Sequence, residues 1–286
     1  MNDFVIFTDS ACDLSPDYLN ELGVKFIDMS FKFEDDDKEY LNSGVNISDF
    51  YNKMKDGAVA KTAAINPDGF GRAFEESLKE GKDILYLAFS SGLSTTYNSS
   101  SIAAEELLEK YPERKIITVD TLCASAGEGL IVCLAAEKKK DGAGLEEIAY
   151  YIEKIKLNLC HWFTVNDLVY LKRGGRVSPT AAFVGAVLGI KPVLHVDNEG
   201  KLINVSKVRG RNAALLSLLE KYKELSEENS PIFISHADCE EDAKKLSDMI
   251  KQETGAKVNL ITNIGPVIGA HSGPGTVALF FLGRER

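Results

Sequence analysis

The 286-residue sequence contains no run of ~18 consecutive apolar residues, the length a membrane-spanning helix needs, so no span is expected. Basic residues are few. Thirty-three lysines and arginines stand against 43 aspartates and glutamates, a net charge of −10, and a nucleic-acid backbone would be repelled by that surface. There is no C-x-x-C pair. The five cysteines, Cys12, Cys123, Cys133, Cys160 and Cys239, are odd in number and widely spaced, the pattern of reduced thiols in a cytoplasmic protein. The opening MNDFVIFTDS lacks a basic segment and enters a strand-like run at once, so no signal peptide is expected. Also missing are G-x-x-x-x-G-K-[ST], G-x-S-x-G and H-E-x-x-H, and with them a nucleotide-phosphate loop, a nucleophile elbow and a zinc-protease helix. What remains is ordinary globular composition, 44% hydrophobic and 27% charged, enough for one large or two ordinary domains.

In the first half, short apolar runs alternate with helical patterns. Phe4–Phe7, Ile84–Phe89 and Ile116–Val119 read as buried strands, and Val24–Phe33 as a further one. Helices are expected from Ser15-Pro16 to about Leu22, over Phe70–Leu78, from an N-cap at Ser94 to Lys110, and over Glu128–Lys139. This alternation argues for a parallel sheet with helices on both faces. After about Asn158 the pattern changes. Val193–Val196 and Leu202–Val208 flank Asp197-Asn198-Glu199-Gly200, a hairpin signal. Helices at Asn212–Leu225 and Glu240–Lys251 mix with strands at Ile232–Ser235, Val258–Thr262 and Thr276–Leu282. The expected fold is therefore α/β in two domains. Residues 1–157 hold the parallel sheet, and residues 158–286 a mixed or antiparallel α/β domain.

Four stretches can carry chemistry. Ser90-Ser91-Gly92-Leu93-Ser94-Thr95-Thr96-Tyr97 joins a strand end to a helix start, where open α/β sheets bind ligands and free N–H groups favour an anionic head. Lys61-Thr62 lies between two helices in a segment without a pattern of its own. The stretch from Gly265 to Gly275 places four glycines and two prolines around His271, which indicates a tightly shaped loop. Lys172-Arg173-Gly174-Gly175-Arg176 is a basic turn in an acidic chain, and Lys207, Arg209 and Arg211 form a second basic cluster. Other matches are set aside. Gly273-x-Gly275-x-x-Ala278 has no βαβ unit or later acidic residue after it. Asp9 and Asp13 lack the spacing of phosphoryl-transfer aspartates, and His236, Asp238 and Cys239 have no second metal-ligand cluster.

Taken together, Thr8-Asp9-Ser10, Lys61-Thr62, Ser91-Gly92-Leu93-Ser94-x-Thr96-Tyr97, Leu171-Lys172-Arg173-Gly174-Gly175-Arg176 and His271-Ser272-Gly273-Pro274-Gly275 resemble the DegV family almost end to end. The resemblance implies a two-domain α/β protein that holds a long-chain fatty acid between its domains and has no other cofactor. Some members serve as the fatty-acid-binding subunit of a bacterial fatty acid kinase, presenting the carboxylate to a separate catalytic subunit that makes an acyl phosphate. Carried onto this chain, the head-group contacts would be Thr62, Ser94 and His271. Two departures stand out: Thr95 replaces the family's glycine, and Lys-Thr-Ser-x-Pro reads Lys-Thr-Ala-Ala-Ile-Asn-Pro here.

The residues are compatible with that role. Burying ~14 methylenes at ~0.8 kcal/mol each gains roughly 11 kcal/mol before association costs of several kcal/mol. The run Ala181–Ile190 offers apolar surface with small residues for a tail, and equally the makings of a core helix. Hydroxyls and a histidine would satisfy the carboxylate without a permanent cation. Arg173, Arg176 and Arg209 are the expected docking surface for the kinase. The competing reading is a hydrolase or transferase using Ser94 and His271, for which no orienting carboxylate is identified. A phosphosugar or nucleotide binder at the same helix start would call for more cations than these loops contain.

Overall fold

The structure, a computed structural model, describes residues 3–177 and 189–286. Three sheets organise it. The first runs β2 (Val24–Ile27), β1 (Phe4–Asp9), β6 (Asp83–Phe89), β7 (Ile116–Cys123), with every pairing parallel. Successive side chains of a strand point to opposite faces. In β1, Phe4 and Ile6 pack with Leu85 and Leu87 of β6 on one side, while Val5 and Phe7 pack with Ile84 and Tyr86 on the other. Both faces are covered, which is why these strands read as unbroken apolar runs. Helices α3 (Pro67–Lys79) and α4 (Thr96–Lys110) cover the second face; α5 (Ala126–Lys140) and α6 (Leu145–Ile155) cover the first.

The second sheet has the order β10 (Leu202–Arg209), β9 (Ile190–Val196), β8 (Leu159–Thr164), β13 (Val277–Leu282), β11 (Ile232–His236), β12 (Leu260–Asn263). Only β11–β12 is parallel among its pairings, so this sheet is mixed. Helices α8 (Arg211–Leu225) and α9 (Glu240–Thr254) pack on its outer face through Leu215, Leu218, Leu246 and Ile250. Its inner face, with Phe163, Leu194, Ala278 and Phe280, joins the same core as α5. Helix α5 is thus a wall shared by both sheets, and nine of its residues are buried. Its glycines permit the approach. A Cβ on Gly127 would lie 2.3 Å from Nε2 of His161, and one on Gly129 2.7 Å from the carbonyl of Cys12.

The third sheet is a small antiparallel one, β4 (Tyr40–Leu41), β3 (Ser30–Phe33), β5 (Ala60–Ala63). Between β4 and β5 lies α2 (Ile47–Lys55), whose Phe50, Tyr51 and Met54 pack against Phe31 and Phe33. The remaining α-helices among the described residues are α1 (Pro16–Glu21), α7 (Val169–Arg173) and α10 (Pro266–Ser272). Local signals set their starts. Ser15 accepts the N–H of Tyr18, Asn46 that of Asp49 and Asn66 that of Gly69, with a proline in the first turn of α1, α3 and α10.

Four expectations need correction. Val24–Phe33 is two strands in two different sheets, β2 and β3, parted at Asp28-Met29. Lys61-Thr62 is not patternless loop but the middle of β5. The stretch around His271 is not a loop but helix α10, bounded by Gly265 at its N-cap and by Gly273, whose φ of 78° no other residue type adopts easily. The N-cap of α4 is Thr95, not Ser94. Of the run Ala181–Ile190, residues 181–188 lie outside the described residues, and Ile190 opens β9.

Candidate functional site: an apolar cavity with a polar end

A cavity of about 390 Å³ lies beyond the C-terminal end of β6, against the inner face of the second sheet. Its volume falls within the ~300–1,000 Å³ of small-molecule sites. Much of the wall is apolar: Phe89 and Leu93 at the end of β6, Phe163, Ala278 and Phe280 from the second sheet, and Ile264, Val267 and Ile268 from α10 and its approach. Val196 and Leu202 come from the two arms of the β9–β10 hairpin. The hairpin tip seats on the loop after β6. Ser90 Oγ donates to the carbonyl of Gly200 at 2.9 Å, and a Cβ on Gly92 would lie 2.5 Å from the carbonyl of Glu199. The glycine in Ser91-Gly92-Leu93 is therefore required by the hairpin laid over it.

Thr62, Ser94 and His271 all line this cavity, brought together from β5, the β6–α4 loop and α10. Thr62 Oγ1 and His271 Nε2 are 2.9 Å apart. Ser94 Oγ accepts the N–H of Thr96 at 3.2 Å and lies 2.8 Å from Thr96 Oγ1, so it satisfies the first turn of α4 although it is not the N-cap. The α4 N-terminus, with its partial positive charge, opens at this end of the cavity. Burial first, and the nearby Arg176 second, push His271 down to about 4, so its ring is neutral at neutral pH. Nδ1 of His271 has no partner and is packed against Gly174, where a Cβ would lie 2.1 Å away. Gly174 of the basic turn is thus required by His271.

Arg176, grouped on sequence with the docking residues, lines the cavity instead. Its Nε donates to the carbonyl of Leu93 at 3.1 Å and its guanidinium also reaches the carbonyl of Gly174. Half-burial holds it below the usual arginine range. The expectation of a site without a permanent cation is corrected by this placement. Arg173 is exposed and lies over the ring of Tyr170, and Arg209 is exposed at the end of β10, so these two stay outside the cavity.

Sequence reasoning missed the polar cluster under the cavity floor. Ser125, which lines the cavity, donates to Asp13 Oδ2 and lies 2.9 Å from Ser235 Oγ. Asp13 Oδ1 accepts the N–H of Gly265, the residue that starts α10, at 2.8 Å. Burial pushes Asp13 up to about 7. Asp13 and Ser125 both have positive φ, 53° and 55°, a cost tolerated where the surroundings fix the geometry. Asp9 is buried too, accepting from Tyr86 OH, Phe89 N and Ala11 N. It fills the sheet's switch point between β1 and β6 with a structural carboxyl. The five cysteines are free, and burial holds Cys123, Cys133 and Cys239 up at about 11 and Cys160 at about 12, so none is poised as a thiolate. No cluster of metal-ligand residues occurs among the described residues, and none of their helices is long and apolar enough to cross a membrane.

Fold and site together define an α/β protein built from a parallel and a mixed sheet around a mainly apolar cavity with a polar end. The chain belongs to the DegV family, whose model, described as an uncharacterised protein of that family, matches residues 3–284. It is 47% identical over 291 residues to a DegV domain-containing protein of Clostridium perfringens, covering 100% of this chain and 99% of that protein. Among solved structures it resembles a DegV lipid-binding protein from Thermotoga maritima, with 30% identity, a TM-score of 0.86 and 99% of each chain covered. It also resembles a fatty-acid-binding DegV family protein from Thermus thermophilus, with 29% identity, a TM-score of 0.88, and 99% and 100% of the two chains covered.

Proposed function

We propose that this protein binds one long-chain fatty acid in the cavity and presents its carboxylate to a separate fatty acid kinase subunit in the cytoplasm. The observation that carries the reading is the Thr62–His271 pair at a polar end of a mainly apolar cavity. With its proton on Nε2, neutral His271 donates to Thr62, whose own hydroxyl hydrogen is then free for the carboxylate. Ser94 and the start of α4 supply further donors, and Arg176 the charge that offsets the buried carboxylate. The lipid- and fatty-acid-binding relatives support the same reading. In this arrangement residues 1–157 carry Thr62 and Ser94, residues 158–286 carry His271 and most of the tail wall, and Arg173 and Arg209 face the kinase.

The hydrolase or transferase reading is less well supported. His271 is bonded to Thr62 rather than to Ser94, and no carboxylate stands on its Nδ1. A serine nucleophile needs the base on its own hydroxyl and an orienting group behind it.

The test is mass spectrometry of an organic extract of the purified protein, followed by acyl-phosphate formation with and without a cognate kinase. Stoichiometric long-chain acid, with acyl phosphate formed only when the kinase is present, is the expected result. An empty cavity that also fails to bind acids after delipidation would overturn the binding reading. Retained lipid with no effect on the kinase would overturn the presenting role alone.

A further inference from the structure

Helix α10 carries His271 in its last turn but brings no cap of its own. Helices α1, α2 and α3 open on Ser15, Asn46 and Asn66, whose side chains take up a free N–H of the first turn. Helix α10 opens instead on Gly265, which has no side chain, and Pro266, which has no N–H. Its acceptors come from the first half of the chain. Asp13 Oδ1 takes the N–H of Gly265 at 2.8 Å, and Asn42 Oδ1 takes that of Val267 at 2.8 Å, 225 residues away in sequence.

Asn42 follows β4 directly and is 6% exposed, and both ends of its amide are committed. Nδ2 donates to the carbonyl of Ser10, just past the end of β1, at 2.9 Å. Its backbone N–H donates to the carbonyl of Met29, a cavity residue, at 2.8 Å. The amide is therefore a strut between the parallel sheet and the start of α10. Val267 and His271 both line the cavity. They are four residues apart, on one face of the helix and about 6 Å along its axis. Between them Gly269 stands against Tyr51, whose hydroxyl donates to the carbonyl of Ile264 at 2.7 Å. At the far end Thr62 meets His271 at 2.9 Å. Asn42 and Thr62 share one corner of the small sheet: Ser30 of β3 pairs with Leu41 on one side and Ala63 on the other, and Asn42 and Thr62 are their chain neighbours. The small sheet thus grips α10 at both ends.

We propose that Asn42 is a positioning residue for the carboxylate site: by holding Val267 it sets the height and rotation of α10 that bring His271 Nε2 onto Thr62. The effect on ligand affinity rests on the fatty-acid reading and deepens it. The effect on the histidine rests on the fold alone.

Two quantities are measured in the wild type, in Asn42→Ala, and in Asn42→Asp, which keeps an oxygen where Oδ1 stands. The first is the imidazole ¹⁵N–¹H NMR signal of His271 in protein freed of lipid, assigned by its loss in His271→Ala. The second is the affinity for octadecanoic acid by fluorescence displacement. In Asn42→Ala the Nε2 signal should leave its wild-type position, and affinity should fall about tenfold. In Asn42→Asp the signal should stay close to that of the wild type. In a His271→Ala background Asn42→Ala should cost about twofold or less in affinity, because the residue acts through the histidine. Its effect on the melting temperature should be the same in both backgrounds, which separates the share of the fold from that of the site. The proposal is overturned if the His271 signal is unmoved in Asn42→Ala, if Asn42→Asp moves it as far, or if the affinity loss is the same with and without His271. Should Asn42→Ala not fold, Asn42→Ser, whose hydroxyl is too short to reach Val267 N, is measured in its place by the same criteria. If the wild type binds no acid, the fatty-acid reading fails, and the NMR signal still decides the role of Asn42.

Discussion

Ser90, at the end of β6, donates its hydroxyl to the carbonyl of Gly200 at the tip of the β9–β10 hairpin, 110 residues away in sequence. The bond joins the parallel sheet to the mixed one directly over the cavity. Gly200 has φ 73°, and a Cβ there would stand 2.1 Å from Ser90 Oγ. Gly200→Ala should therefore lift the hairpin from its seat and cost about 1–3 kcal/mol. A lower melting temperature and faster release of a bound fluorescent fatty acid are the expected readings. Unchanged release would mean that the hairpin does not close the cavity.

Thr62 and His271 should behave as a unit. Removal of either, in Thr62→Ala or His271→Ala, leaves the other unmatched and should weaken fatty-acid affinity by about 1–3 kcal/mol. The double variant should lose clearly less than the sum. Full additivity in a displacement assay would show that the 2.9 Å contact does not operate in the bound state.

Asp13 gives the protein a pH dependence of known sign. Its ordinary value is 3.8 and burial raises it to about 7, so the folded form holds a proton that the unfolded chain releases. The associated stability is complete below about 4 and is lost as pH rises through 7. In Asp13→Asn the new side-chain amide would keep an acceptor for Gly265 N, offer a donor to Ser125 and tolerate the positive φ. The stability of Asp13→Asn relative to the wild type, from urea denaturation, should grow between pH 4 and 7 by up to about 4 kcal/mol and then level off. A constant difference across that range would refute the assignment.

The arginines should separate by position. Arg173→Glu, on the exposed helix α7, should leave bound lipid intact and slow acyl-phosphate formation with the kinase, most strongly at low salt. Arg176→Glu places a carboxylate in the cavity wall and, on the fatty-acid reading, should empty the protein of lipid. Lipid content by mass spectrometry and kinase assays on both variants check the division.

The strands of the parallel sheet were legible because burial on both faces leaves no polar residue to interrupt FVIF or ILYLAF. Thr62 and Ser94 could be named from motif context, but their neighbourhood could not. Ala60–Ala63 is four residues long, half-exposed and charged at Lys61, so nothing in it announces a strand until β3 pairs with it. Helix α10 was hidden by its glycines, which suggest a loop. Gly269 is there because a Cβ would lie 2.3 Å from the hydroxyl of Tyr51, and Gly265 because Asn42 and Asp13 crowd it. Arg176 reads as surface charge because only the turn through Gly174 and Gly175, the latter at φ 70°, directs it inward. Asp13 and Ser125 were invisible as a pair because their contact spans 112 residues and neither sits in a periodic pattern.

Helix α5 contributes to the core of both sheets at once, with Leu130, Ile131 and Val132 in a cluster that runs from Phe4 and Leu85 to Phe163 and Phe280. The two halves consequently share one interior, and neither can melt without exposing the other's. Heating should therefore give a single cooperative transition rather than two. Severing the chain near residue 157 should yield fragments that aggregate apart and recover a cavity only when mixed. If the proposed fatty acid binds, parting the halves to admit it would open that common interior to water, so its exchange is expected to use the smaller pieces of the wall, such as the β9–β10 hairpin, with the body staying whole.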